Sequence, residues 1–283
     1  MHVLVAGAGW LGSTLSRSLA GQGHRVTAVR RDPARAEALR SPGVEPLTLD
    51  LGVPGAAARL PGDLDAVVAC QSAGADGPDP YRRAYVEATR TLIDALRSSG
   101  RPAALVYTGS TGVFGQRDGS DVDESTPPAP ASPAAEVLVE AEQLVVGANA
   151  PSLRTNVLRL SGLYGPGRTW PVDRVRGGQI ALGPGDGSWL NLCHLDDAVA
   201  AVAAVLERGR PGRVYHASDA EPVRRRDLVE WVAARLGIPP PRQPDGARAP
   251  ALPDRRIHAE ASRAELGIAL LHPSFRVGLH FPG

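Results

Sequence analysis

The sequence of 283 residues contains no lysine; all 31 basic residues are arginine. Schiff-base chemistry and any proton relay through an ammonium group are therefore excluded. Cysteine is scarce as well. Cys70 and Cys193 stand in separate apolar segments, which argues against a disulfide framework and for a cytoplasmic setting. With the scattered histidines they show no metal-ligand spacing, so no metal is expected. The formal net charge of +1 provides no attraction to nucleic acid or to an acidic membrane surface. No apolar run approaches the ~18 residues that a membrane span requires. Met1-His2-Val3-Leu4-Val5 lacks the basic start of a signal peptide, and no Gly-x-Ser-x-Gly nucleophile elbow occurs. What is present is 43% hydrophobic and 22% charged, an ordinary balance for a chain with a sizeable core.

Short β-branched runs alternate with segments of helical period. Strands are expected at Val3–Ala6, Val26–Val29, Pro46–Leu49, Ala66–Ala69, Ala104–Tyr107, Thr155–Leu160 and Val214–Ala217. Helices are expected near Leu11–Ala20, Pro33–Leu39, Tyr81–Ser98, Ala134–Val146, Asp197–Glu207 and Arg225–Leu236. Asp32-Pro33, Asp79-Pro80 and Ser132-Pro133 each place a capping oxygen before a proline suited to the first helical turn. Such alternation predicts an α/β fold, a doubly wound parallel sheet of about seven strands. Residues 166–188 and 239–253, rich in Gly, Pro and Arg, read as loops of a small discontinuous C-terminal cap. The expected division is a core of residues 1–165, completed by about 190–218, with 166–189 and 219–283 as a substrate cap.

Gly7-Ala8-Gly9-Trp10-Leu11-Gly12 follows the first strand and opens the first helix, the context that gives a G-x-G-x-x-G loop meaning. Gly7 permits the tight turn, Gly9 the approach of a pyrophosphate, and Gly12 close packing of helix on strand, while the helix N-terminus supplies N–H groups. This is the dinucleotide loop of a Rossmann fold. An NAD site carries an acid at the end of the second strand. Here that strand ends Val29-Arg30-Arg31-Asp32, and arginines suit a 2′-phosphate. NADP is therefore favoured over NAD, which stays open, and Asp32 reads as a helix cap. Asp50-Leu51 falls where it would border the adenine; a turn Asp before Gly52 is the alternative.

Further motifs follow in order. They are Val106-Tyr107-Thr108-Gly109-Ser110-Thr111-Gly112-Val113-Phe114-Gly115, Leu158-Arg159-Leu160-Ser161-Gly162-Leu163-Tyr164-Gly165-Pro166-Gly167, Asn191-Leu192-Cys193-His194-Leu195-Asp196-Asp197-Ala198, and the tail from Arg255-Arg256-Ile257 to Gly278-Leu279. With the glycine loop, this series resembles the extended short-chain dehydrogenase/reductase superfamily, the NAD(P)-dependent epimerase/dehydratase group. The resemblance is nearest to atypical members with a Gly-x-Gly-Tyr/Trp-Leu-Gly fingerprint, and it covers nearly the whole chain. It implies a small-molecule substrate, and a homodimer face on the helices near Tyr81–Ser98 and after Ser132.

Active members carry a Ser or Thr, which falls on Ser110 here, and a Tyr-x-x-x-Lys pair on one helix. Anchored on Ala141-Glu142-Gln143-Leu144, the Tyr position falls on Ala134 and the Lys position on Leu138. Neither transfers a proton. Candidates for a different acid/base are Ser110, Thr111, Tyr164 and His194, with Ser132 and Glu136 near the vacated face. Imidazole titrates near about 6.5, yet His194 also reads as a buried structural histidine beside a helix capped by Asp196 or Asp197. Ser110 also reads as a turn hydroxyl, and Arg168 as a holder of an anionic group or a solvated arginine. Three readings remain: an NADP-dependent oxidoreductase on a small polar metabolite, a catalytically silent dinucleotide sensor or scaffold, and a sugar epimerase or dehydratase that retains its cofactor.

Overall fold

A computed structural model describes residues 1–74, 77–184, 186–244 and 252–281. Seven strands form the main sheet: β1 (His2–Ala6), β2 (Arg25–Arg30), β3 (Val44–Thr48), β4 (Ala66–Ala69), β5 (Ala103–Ser110), β6 (Leu153–Leu160) and β7 (Val214–Ala217). Every pairing is parallel, in the order β7-β6-β5-β4-β1-β2-β3. The chain thus runs outward from β1 to one edge and returns to β4 on the other side. The crevice beyond the carboxyl ends of β1 and β4 is the switch point where such sheets bind ligands.

All five residues of β1 are buried, because helices cover both faces of the sheet. Val3 and Val5 pack with Leu11, Leu15 and Leu19 of the helix Trp10–Gly21 and with Val202 and Val205 of the helix Leu195–Arg208. Leu4 and Ala6 point the other way, towards Leu92 and Leu96 of the helix Ala88–Ser98 and Val137, Ala141 and Val145 of the helix Pro133–Gly147. The spacing of Leu11, Leu15 and Leu19 by four residues is what puts them on one face.

Where sequence and structure differ, the causes are local. β3 begins two residues earlier than expected and contains Pro46, tolerated because an edge strand leaves part of its N–H groups unpaired. Asp32 and Ser132 do cap their helices, accepting from Arg35 N at 2.9 Å and Ala135 N at 3.2 Å. Asp79 does not: its helix starts at Pro78 behind Gly77, whose φ is +111°. That helix continues through a π-helical turn, Arg83–Glu87, into Ala88–Ser98. Asp196 and Asp197 are not caps either. His194 caps the helix Leu195–Arg208, its Nδ1 accepting from Asp196 N at 3.2 Å, while Asp197 accepts from Leu271 N and His272 N and so ties down the C-terminal segment.

Residues 166–188 hold a helix, Trp170–Arg176, which buries Val172 and Val175 with Tyr164, Leu228, Val232 and Phe275 in a third apolar cluster. Of the expected loop 239–253, residues 245–251 lie outside the described residues. A strand that the sequence reading missed, Asp254–Ile257, pairs in parallel with Arg117–Val122.

Candidate functional site

The glycine loop meets the expected geometry residue by residue. Gly7 has φ +84°, and a Cβ there would lie 2.4 Å from Gln71 Cα. A Cβ on Gly12 would lie 2.6 Å from the carbonyl oxygen of Gly7, so helix and loop touch through backbone alone. Gly9 differs. A Cβ there would meet nothing nearer than that same oxygen, at 3.8 Å, because Gly9 faces the cleft. The helix behind it has no side-chain cap and no acid in its first turn, which leaves its leading N–H groups and positive dipole end to an anion.

Two cavities meet at this loop, sharing Gly7, Gly9, Gln71 and Ser72. The outer one, of about 200 Å³, is lined by Arg30, Arg31, Asp32, Arg35, Asp50, Leu51 and Arg83. Arg31 extends to the segment after β4: a Cβ on Gly74 would sit 2.8 Å from its Nη2. Asp50 is the turn residue of its alternative reading, and it also lines this cavity. It accepts from Gly52 N at 2.9 Å and pairs with Arg83 Nη2 at 2.6 Å while bordering the cavity. Arg35 and Arg83 were missed in the sequence, where nothing marks them from other helix-surface arginines.

The inner cavity, of about 370 Å³, is lined by Trp10, Leu11, Gly12, Cys70, Tyr81, Tyr85, Ser110, Leu138 and Arg168, among others. Ser110 ends β5, and its Oγ accepts from Gly112 N at 3.0 Å; it is a turn hydroxyl and a cleft hydroxyl at once. Leu138 stands on the same wall, an apolar group at the expected lysine position. Trp10 Nε1 donates to Pro166 O at 2.9 Å, and the Arg168 guanidinium lies 4.9 Å from the ring centroid of Trp10.

Tyr81 and Tyr85, not singled out in the sequence, contribute the phenols of this cavity, with ring centroids 5.3 Å apart. The signal was their spacing of four residues on one helix face. Burial raises the Tyr85 hydroxyl, Tyr81 adds to the rise, and a backbone hydrogen bond from Ala73 opposes it. Burial pushes the Cys70 thiol up to about 12, so it is no thiolate.

Three expected catalytic residues lie elsewhere. Thr111 is buried and borders neither cavity; its carbonyl accepts from Arg255 Nη2 at 2.7 Å. Tyr164 is fully buried in the third apolar cluster, and burial lifts its phenol far above the ordinary range. His194, 1% exposed, packs edge-on against Tyr164, with ring centroids 5.2 Å apart. Burial, and next the neighbouring His272, lower its imidazole. The parallel pairing of Gly162–Tyr164 with Leu192–His194 sets the two residues side by side, and neither lines either cavity. Ligand atoms of His194, Asp196 and His272 come within 4.8 Å of one another, but His194 Nδ1 is already engaged by the Asp196 N–H.

The model of the NAD dependent epimerase/dehydratase family matches residues 3–218. The chain belongs to this family. It is 31% identical over 244 residues to Protein YeeZ of Escherichia coli, covering 84% of this chain and 85% of that one. It is 32% identical over 307 residues to a 3-diazoavenalumate denitrifying reductase of a Streptomyces species, covering 99% of both. A 2-alkyl-3-oxoalkanoate reductase of Stenotrophomonas maltophilia is 34% identical over 84% of this chain and 77% of its own. Among solved structures, MoeE5 in complex with UDP-glucose and NAD superposes with a TM-score of 0.83 at 24% identity, covering 99% of this chain and 96% of that one, a likeness of fold. Among the described residues no helix is long and apolar enough to cross a membrane.

Proposed function

We propose that this family member is an NADP-dependent reductase of a small polar ketone, with Ser110 and Tyr85 as its reacting hydroxyls. The observation that carries this reading is the opening of Ser110, Tyr81 and Tyr85 into one cavity with Gly9 and the start of the first helix. The cradle at Gly9 and the guanidinium groups of Arg30, Arg31 and Arg35 fit a dinucleotide phosphate at the outer end. Asp32, beside those arginines, is spent on its helix cap. When bound, the cofactor supplies the hydride.

The chain's own groups handle the oxygen. Ser110 Oγ accepts from Gly112 N, which leaves its proton free to bond a substrate carbonyl. As charge develops on that oxygen, the Tyr85 phenol donates its proton and regains one from solvent; the product is the alcohol. A phenol raised by burial is still a far stronger acid than the alcohol formed. Tyr81, packed against Tyr85 with the two rings tilted, positions it. A relative named for the reduction of a 3-oxoalkanoate supports a ketone substrate. Residues 166–189 and 219–283 act as the cap in this reading.

The test follows NADPH oxidation across a panel of ketones. Tyr85→Phe and Ser110→Ala are expected each to lower kcat by about a hundredfold; undiminished turnover in Tyr85→Phe rejects the assignment. A second reading, a silent dinucleotide-binding protein, is favoured by Leu138 facing the cavity. Tight NADPH binding without turnover on any ketone would select it.

A further inference from the structure

Arg168 is the one charged side chain among the described residues that line the inner cavity. It is exposed, and no carboxylate pairs with it among the described residues. The nearest acid along the chain, Asp173, accepts from Thr169 Oγ1 at 2.8 Å.

Backbone and ring together fix where this charge stands. Residues 165–168 close a tight turn, in which Gly165 N donates to Arg168 O at 3.2 Å and Arg168 N to Gly165 O at 2.9 Å. Gly167, with φ +75°, lies against Trp10, where an added Cβ would come 3.7 Å from Nε1. That Nε1 donates to Pro166 O, and the Arg168 guanidinium lies over the indole, 4.9 Å from its centroid. The turn is thus docked on the residue directly after Gly9, and both Gly9 and Trp10 line the cavity that Arg168 lines.

A dinucleotide brings a negative charge on each phosphate of its pyrophosphate, and a helix N-terminus offsets only about half a charge. Arg30, Arg31, Arg35 and Arg83 line the outer cavity and not the inner one. A guanidinium stacked on an aromatic face keeps its edge N–H groups free, and that fork takes phosphate oxygens in pairs.

We infer that Arg168 is a ligand of the cofactor pyrophosphate. Trp10 holds it in place, and it completes, from the segment after β6, the anion site that the glycine loop begins. This rests on the dinucleotide part of the proposed function and is independent of the ketone chemistry.

The experiment titrates nucleotides calorimetrically into the full chain and into its Arg168→Gln variant. NADPH, NADH and 2′-phospho-ADP-ribose carry the pyrophosphate; adenosine 2′-monophosphate does not. Arg168→Gln is expected to weaken the first three by one common factor of about tenfold or more, the scale of a charge-assisted hydrogen bond to phosphate. Adenosine 2′-monophosphate should stay within about twofold. Because Arg168 is exposed, the Tm should hold within about 2 °C. Arg168→Lys, which keeps the charge without the planar fork, is expected to recover part of the affinity. Unchanged binding of 2′-phospho-ADP-ribose by Arg168→Gln overturns the inference. So does a loss that falls equally on adenosine 2′-monophosphate, which would mark general damage to the site. Intact cofactor binding with weakened binding of an anionic ketone, acetoacetate, also overturns it and hands Arg168 to the substrate. A parent chain that binds none of the nucleotides removes the dinucleotide reading, and this inference with it. Binding that depends on Arg168 in a chain that reduces no ketone removes the reductase reading alone.

Discussion

The indole of Trp10 donates a 2.9 Å hydrogen bond to the carbonyl of Pro166, joining the glycine loop to the segment that follows β6. The ring also carries the Arg168 guanidinium, so one side chain closes the inner cavity at its mouth. Trp10→Phe keeps the aromatic face and loses the hydrogen bond. Its expected cost is about 1 kcal/mol, a fall in Tm of about 2–4 °C for a chain of this size. Thermal denaturation of the two proteins checks it, and an unchanged Tm would mean that the bond contributes nothing.

Gly9 and Gly12 should respond differently to the same added methyl. Gly12→Ala places a carbon against the Gly7 carbonyl and is expected to destabilise the chain by about 1–3 kcal/mol, as overpacking does. Gly9→Ala makes only an ordinary van der Waals contact, 3.8 Å from the Gly7 carbonyl oxygen, so its Tm should hold while NADPH affinity falls about tenfold or more. Denaturation together with fluorescence titration separates the two. Equal behaviour of the variants would refute the division of roles.

The outer cavity predicts cofactor choice. Arg30→Ala combined with Arg31→Ala removes two of the guanidinium groups around it. NADPH binding is expected to weaken by about tenfold or more, the scale of charge-assisted bonds to phosphate, and NADH binding much less. Fluorescence titration of both cofactors measures this. Parallel losses would assign the arginines a role other than reading a 2′-phosphate.

Asp219 gives the chain a pH dependence. Buried just past β7, its carboxyl is pushed up to about 8 by desolvation, whereas an unfolded Asp titrates near about 3.9. Between those values the folded chain keeps a proton that the unfolded chain has released. Stability therefore falls as pH rises through this window and levels off above it. Asp219→Asn should melt higher than the parent chain near pH 9, by on the order of 1 kcal/mol, and alike near pH 4. A variant less stable at both values would show that the carboxylate is needed as a charge.

Much of the fold was legible because its determinants are local. The runs forming β4 and β7, and the helix Arg225–Leu236, fall where period and composition place them, and the glycines at 7 and 12 each answer to a close backbone contact, with Gln71 just past β4 and within the loop. The missing lysine was also plain, since an absence from composition holds in any fold. Which polar groups share the cleft was not legible. Tyr164 and His194 lie in motifs that run towards the crevice, yet two short strands pair them side by side, with Tyr164 in an apolar cluster and His194 packed edge-on against it. Tyr81 and Tyr85 lie on an ordinary-looking helix whose π-helical turn and packing against the sheet present them to Ser110. Arg255 looks like its neighbour until a parallel pairing with Arg117–Val122, more than a hundred positions earlier, buries it while leaving Arg256 half-buried and paired with Asp121. Local periodicity determines which residues share a face of an element; only the packing of elements distant in sequence decides what that face meets.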